Sequence, residues 1–166
     1  MRKVLARAIC VFGLLFGSAM PGPAQAATAT GSFLVSLTII SQCLLVTALP
    51  MTFVDAGIIS TGADQTTTLT VTCTAGTTYS IALNLASGET TTTRQLSGTL
   101  HSANKITYGL YSDIDHTAPW GSATGTTVAG TGSGLPQLVT VYGHIPAQTP
   151  AATDVYTQTV GITVTY

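Results

Sequence analysis

The chain has 166 residues, of which only 7% are charged: five basic residues and six acidic residues give a net charge of −1. Nucleic-acid binding needs a surface rich in Lys and Arg, so the composition argues against that class of function. So few charges are also unusual for a soluble monomer, whereas a surface covered by other subunits needs fewer of them.

Residues 1–26 have the pattern of a secretory signal. Arg2, Lys3 and Arg7 precede an apolar run that, at about 13 residues, is too short to span a bilayer. Ala24-Gln25-Ala26 then forms an A-x-A cleavage site, so we expect cleavage after Ala26 and export. The mature chain keeps two basic residues against six acidic ones, a net charge of −4, and no transmembrane segment is expected.

Residues 27–40 are predicted to form an N-terminal extension with the periodicity of a strand. Phe33, Val35, Leu37 and Ile39 occupy alternate positions. This alternation is typical of a strand that buries one face. We expect these four residues to act as a donor strand that completes the sheet of a neighbouring subunit.

Cleavage removes Cys10 and leaves Cys43 and Cys73. An even number of cysteines in an exported chain predicts one disulfide, and closing a loop of about 30 residues is worth roughly 3–4 kcal/mol. A metal site is the weaker interpretation, since neither cysteine belongs to a C-x-x-C pair or has a histidine nearby in the sequence. We predict a Cys43–Cys73 disulfide and no metal site.

Residues 41–166 are predicted to form one all-β domain. Strand formers, above all Thr, Val, Ile and Tyr, are interrupted at short intervals by Gly, Pro, Asn and Asp, as in a β-sandwich. Two of its strands alternate clearly: Leu69 and Val71 alternate with Thr, and Tyr79, Ile81, Leu83 and Leu85 alternate with Ser80, Ala82 and Asn84. Between these two strands, Ala75-Gly76 marks a tight connection that predicts a hairpin. The Gly-, Thr- and Ser-rich residues 122–134 predict a mobile surface loop. The predicted strands of this domain are 44–54, 66–74, 77–86, 95–100, 105–112, 136–145 and 155–166.

The densest polar cluster is Asp113-Ile114-Asp115-His116. It has two interpretations: a metal or acid–base site, or a connection in which Asp caps the turn and His is solvated. We favour the second because the ligands are too few and the sequence has no second acidic cluster. The other two histidines, His101 and His144, lie far apart in the sequence. With no G-x-S-x-G motif and no phosphate-binding loop, the sequence predicts no enzyme and no cofactor.

The last residues of the chain alternate again and predict a strand with one buried face. Such an edge exposes main-chain donors and apolar side chains, so we expect it to accept a strand from a neighbouring chain. Its predicted inward residues are Tyr156, Val160, Ile162, Val164 and Tyr166.

Several stretches, in this order along the mature chain, carry a family resemblance. They are residues 31–39 followed by Cys43; Val71-Thr72-Cys73-Thr74; residues 108–113; Trp120-Gly121; residues 141–146; and residues 155–166. Together they resemble the spore coat protein U domain, a family that includes the pilins of the archaic chaperone–usher pathway. The chain departs from the family pattern at residues 153–155 and at Gln158, but neither departure interrupts the alternation.

This resemblance implies an incomplete immunoglobulin-like β-sandwich that lacks its final strand. It implies that a periplasmic chaperone first lends a strand to the open groove beside the C-terminal strand, which is then the edge that the chaperone recognises. At an outer-membrane usher, the extension of the next subunit then replaces the chaperone strand. The expected product is a cell-surface pilus or fimbria with a role in adhesion or biofilm formation.

Two other functions remain open from the sequence. A spore or cell-surface coat protein of the same domain type would use the same extension. A secreted hydrolase or sugar-binding sandwich would need convergent polar or aromatic residues, such as Tyr108, Tyr111 and Trp120, which we instead expect to pack between the sheets.

Overall fold

The computed structural model describes residues 22, 25–54, 57–149 and 152–166. The chain divides into two units, Met1–Leu37 and Thr38–Tyr166. The predicted signal lies almost entirely outside the described residues. The described part contains no helix, and therefore none that is long and apolar enough to cross a membrane.

Thr38–Tyr166 contains two antiparallel sheets, which confirms the all-β prediction. The larger sheet has the strand order β1-β2-β7-β5-β4-β8, and the smaller sheet has the order β6-β3-β9. The strands described are β1 (Cys43–Ala48), β2 (Ala63–Cys73), β3 (Thr78–Leu83), β4 (Arg94–Gly98), β5 (Lys105–Tyr111), β6 (Val128–Thr131), β7 (Gln137–Ile145), β8 (Tyr156–Thr157) and β9 (Ile162–Thr165).

The core lies between the two sheets and follows the predicted alternation. Leu69 and Val71 on β2 are buried, as are Tyr79, Ile81 and Leu83 on β3. Trp120 is fully buried, and its indole Nε1 donates a hydrogen bond to the carbonyl of Ile81 at 2.9 Å. Aromatic packing between the sheets therefore accounts for Trp120.

Arg94 is a fully buried cation that ties the two sheets together. From β4 in the larger sheet, its guanidinium donates to the carbonyls of Leu83 and Asn84 at 2.9 Å and of Trp120 at 3.0 Å. Desolvation by burial lowers the pKa of Arg94. Electrostatic interactions with Tyr108 and Glu89 act to raise it, but desolvation is the larger effect. Three hydrogen bonds to carbonyls compensate part of the cost of burying the charge.

Cys43 and Cys73 form the predicted disulfide, with an S–S distance of 2.04 Å. The two residues face each other in the register of β1 and β2. The bridge therefore fastens the edge strand β1 to a strand that is itself paired on both sides.

Two predicted connections are wrong. Residues 66–74 and 77–86 do not form a hairpin, because β2 and β3 belong to different sheets. The turn with Gly76 at φ 80° is present, but it carries the chain across the sandwich. The predicted loop at 122–134 contains β6, whose Gly130 pairs with Tyr79 of β3. A Gly- and Thr-rich segment with no apolar period can still form an edge strand when main-chain pairing supplies the stabilisation.

The predicted strands at the two ends of the chain also differ from the structure. Residues 25–42 form no strand, since an extended segment needs a pairing partner. The predicted strand 155–166 is two short strands: β8 pairs with β4 in one sheet, and β9 pairs with β3 in the other. The alternation is unbroken while the chain changes sheets, so periodicity alone could not reveal the break.

Candidate functional site

A groove of about 750 Å³ opens into the core of the sandwich. One wall is formed by residues 48–54, from the last residue of β1 onward, and the other by the C-terminal segment around β8 and β9. Core side chains of β2, β3, β5 and β7 also line it, among them Leu69, Leu83, Ile106, Leu110 and Val141.

Protein interiors are normally packed as densely as organic crystals, with few voids larger than a water molecule. Leu69 and Val141 are themselves buried, but other apolar residues that line the groove are only half-buried and lack packing partners on the groove side, among them Phe53, Leu96 and Ile162. The arrangement favours an apolar occupant that is long enough to follow the groove.

The predicted C-terminal residues divide into two groups. Tyr156, Val160, Ile162 and Val164 are half-buried and pack against the core, and the first three line the groove. Tyr166 instead is 58% exposed. The intervening residues Thr157, Thr159, Gly161, Thr163 and Thr165 are all exposed.

The main chain of β9 has one paired side and one free side among the described strands. The amide of Asn84 donates to the carbonyl of Gly161 at 2.8 Å, which sets the alternation of the antiparallel ladder. Thr163 and Thr165 therefore turn their N–H and C=O groups toward β3. Ile162 and Val164 turn theirs toward the free edge, beside the side chains that pack on the core.

Exposed apolar side chains also lie on the strand that leads into the other wall. Leu44, Leu45, Val46 and Leu49 are exposed on or just after β1, which is an edge strand of the larger sheet. Of these residues, Leu49 lines the groove itself, so the wall it belongs to also presents apolar surface to an occupant.

The predicted donor residues are exposed as well. The exposed fractions are 87% for Phe33, 79% for Val35, 86% for Leu37 and 75% for Ile39. These side chains are therefore largely unburied in the chain by itself.

Asp154 anchors the groove wall just before β8. Its side chain is fully covered, and its carboxylate accepts hydrogen bonds from the amides of Leu100, His101 and Val155 and from the hydroxyl of Thr99. Desolvation acts to raise the pKa of Asp154, but these hydrogen bonds outweigh it and lower the pKa to about 2. The ionised carboxylate therefore holds the β4–β5 connection against the segment that enters β8.

Asp154→Asn should reduce stability at neutral pH and should have much less effect in strong acid. The folded state holds the carboxylate at a pKa of about 2, below its ordinary value of 3.8, so the contribution is present above about pH 4. It is lost as the pH falls from about 4 to 2. Urea unfolding from pH 6 to pH 2 measures the difference between the two proteins. Asp115→Asn removes the same charge from an exposed turn and is the matched control; a difference that does not shrink in acid would contradict the assignment.

Asp113 caps the turn that follows β5, as predicted. Its carboxylate accepts hydrogen bonds from the amides of Thr117 and Ala118 and from the Thr117 hydroxyl. The expectation that His116 is solvated is wrong, because its side chain is only 23% exposed and its ring packs against those of Tyr111 and His144. The sequence offered no signal for this cluster, since its members come from distant strands and a turn.

Comparison with known proteins places this geometry in a family. The model of the Spore Coat Protein U domain matches residues 29–163. The chain is 35% identical over 65 residues to Protein U of Myxococcus xanthus, a match that covers 39% of this chain and 36% of that protein. The chain therefore spans only about a third of the length of that relative.

A solved structure shares the fold. It is the CsuC–CsuE chaperone–tip adhesion subunit pre-assembly complex from archaic chaperone–usher Csu pili of Acinetobacter baumannii, with a TM-score of 0.50 and 17% identity. The match covers 78% of this chain and 40% of that one. The fold is an immunoglobulin-like β-sandwich. The chain belongs to the Spore Coat Protein U domain family.

Proposed function

We propose that this protein is a structural subunit of a cell-surface pilus or fimbria that is assembled by chaperone–usher donor-strand exchange. The main observation in support of this proposal is the apolar groove of about 750 Å³, which opens the core beside the free edge of β9. An added strand would satisfy the free main-chain groups of Ile162 and Val164 and would fill the groove with side chains.

The donor in this proposal is residues 27–40 of the next subunit, and the acceptor is the sandwich domain, residues 41–166. Phe33, Val35, Leu37 and Ile39 are four exposed apolar side chains in one row. Burying each is worth roughly 1.5–3 kcal/mol before the cost of ordering the strand, so the four together account for a long-lived junction.

The proposed partners, a chaperone and an usher, follow from the open core of the subunit. A subunit with an open core needs a temporary strand during transit, which a periplasmic chaperone supplies, and an outer-membrane usher is where the exchange takes place. The protein is then exported through the periplasm to a surface fimbria that acts in adhesion or biofilm formation. The similarity in fold between this chain and the Csu chaperone–subunit complex supports this proposal.

A surface coat protein is the second candidate, favoured by the family to which the chain belongs. Such a layer would use the same groove and extension, and electron microscopy distinguishes linear fibres from sheets or amorphous layers. We propose no catalytic activity, because Asp154, the acid among the described residues that line the groove, is committed to main-chain hydrogen bonds.

A peptide-complementation experiment tests the proposal. A chain that lacks residues 27–40 should bind a synthetic peptide of residues 29–40, and its melting temperature should rise because the ligand binds only the folded state. The same peptide with Leu37→Asp is the matched control and should neither bind nor stabilise. Equal responses to the two peptides, or to neither, would argue against strand donation.

A further inference from the structure

Three side chains with metal-binding atoms meet on the outer face of the larger sheet, away from the groove. Asp64 on β2 and His144 on β7 are direct register partners, and His116 comes from the turn after β5. One ligand atom from each lies within 4.8 Å of the other two. None of the three residues lines the groove, so this cluster is separate from the strand-acceptor site.

His116 is fixed in this position by the fold. Its backbone is left-handed, with φ 55°, and Asp113 closes the surrounding turn through its hydrogen bonds to Thr117 and Ala118. The His116 ring lies 5.0 Å from that of Tyr111 and 4.9 Å from that of His144, measured between centroids. A left-handed non-glycine residue persists only where its surroundings hold it there.

The ligand chemistry selects a class of metal. Two imidazole nitrogens and one carboxylate oxygen suit Zn²⁺ and neighbouring transition metals, and a water molecule completes the usual tetrahedron. Ca²⁺ and Mg²⁺ prefer oxygen ligands alone. The side chains of His116 and His144 are 23% and 30% exposed, so an ion can reach them from solvent.

The ligand atoms of His116 and His144 both approach the carboxylate of Asp64. Nδ1 of His144 and Oδ1 of Asp64 lie 2.5 Å apart, and Nε2 of His116 lies 3.8 Å from the same oxygen. We propose that Asp64, His116 and His144 bind a divalent transition-metal ion of the Zn²⁺ class, which replaces the direct contact between His144 and Asp64 and keeps one coordination position open to solvent.

Isothermal titration of the purified protein with ZnCl₂ at pH 7.5 tests the site. We expect saturable binding of one ion per chain, a rise in melting temperature on binding, and no response to CaCl₂. His116→Asn, chosen because Asn tolerates left-handed backbone, and His144→Gln should each weaken Zn²⁺ binding by at least about tenfold. Asp64→Asn should weaken it as well, since it removes the charge and keeps the shape.

His101→Gln is the matched control, because His101 lies beside Asp154 and outside the cluster. It should bind Zn²⁺ like the unaltered protein. Absence of saturable binding below about 1 mM, or an equal loss of affinity in His101→Gln and His116→Asn, would overturn the proposal.

Discussion

Leu37→Asp is expected to abolish polymer formation while the sandwich domain stays folded. Leu37 is 86% exposed in the chain by itself, so the substitution costs the free subunit little. At a junction it removes a buried side chain worth roughly 1.5–3 kcal/mol and brings an unpaired charge into an apolar groove, which adds several kcal/mol. A combined loss of about 4 kcal/mol or more corresponds to at least about a thousandfold weaker association.

The measurement is the yield of polymers that resist mild denaturant, from a strain that supplies chaperone and usher. Thr38→Asp is the matched control, because it adds the same charge at the next position of the extension, on the opposite parity. Normal fibres from Leu37→Asp, or equal defects in both variants, would show that the row of Phe33, Val35, Leu37 and Ile39 is not what enters the groove.

Val164→Pro and Thr163→Pro change adjacent residues of β9 but should have different effects. The first should impair strand binding, and the second should impair stability. The N–H of Val164 faces the free edge, so proline there leaves the β3–β9 ladder intact and blocks an incoming strand. The N–H of Thr163 faces Ala82 of β3, so proline there breaks a hydrogen bond within the domain and costs about 1–3 kcal/mol of stability.

Chaperone co-purification and the melting temperature of the recovered subunit separate the two effects. Val164→Pro should lose capture, and Thr163→Pro should lower the melting temperature. The peptide of residues 29–40 should also fail to stabilise the Val164→Pro protein. Stoichiometric recovery of Val164→Pro with chaperone would mean that the free edge of β9 is not the recognised strand, and the acceptor assignment would be lost.

Local patterns in the sequence predict the features that depend on neighbouring residues. Alternation identified the inward rows of β2 and β3, and the two cysteines left after the signal identified the disulfide. Alternation does not encode which sheet a strand joins, because the same inward row suits either side of a sandwich. The turn at Gly76 was therefore mistaken for a hairpin, and the break between β8 and β9 was missed.

The candidate sites also combine features that a local sequence pattern predicts with features that only the fold determines. Rows such as Phe33 to Ile39 and Tyr156 to Val164 can be found from their periodicity. The groove cannot, because its lining is assembled from several strands of both sheets. The Asp64–His116–His144 cluster depends on a cross-strand register between residues 80 positions apart and on one left-handed residue, and neither feature leaves a local pattern.

The bridge between Cys43 and Cys73 has a mechanical consequence in a fibre built this way. Tension pulled through the extension of residues 27–40 would enter the domain at the first residue of β1, an edge strand that could otherwise peel away one hydrogen bond at a time. The disulfide passes that load covalently to the end of β2, an 11-residue strand held between β1 and β7. The force then acts on long ladders loaded in shear, where many hydrogen bonds must break together.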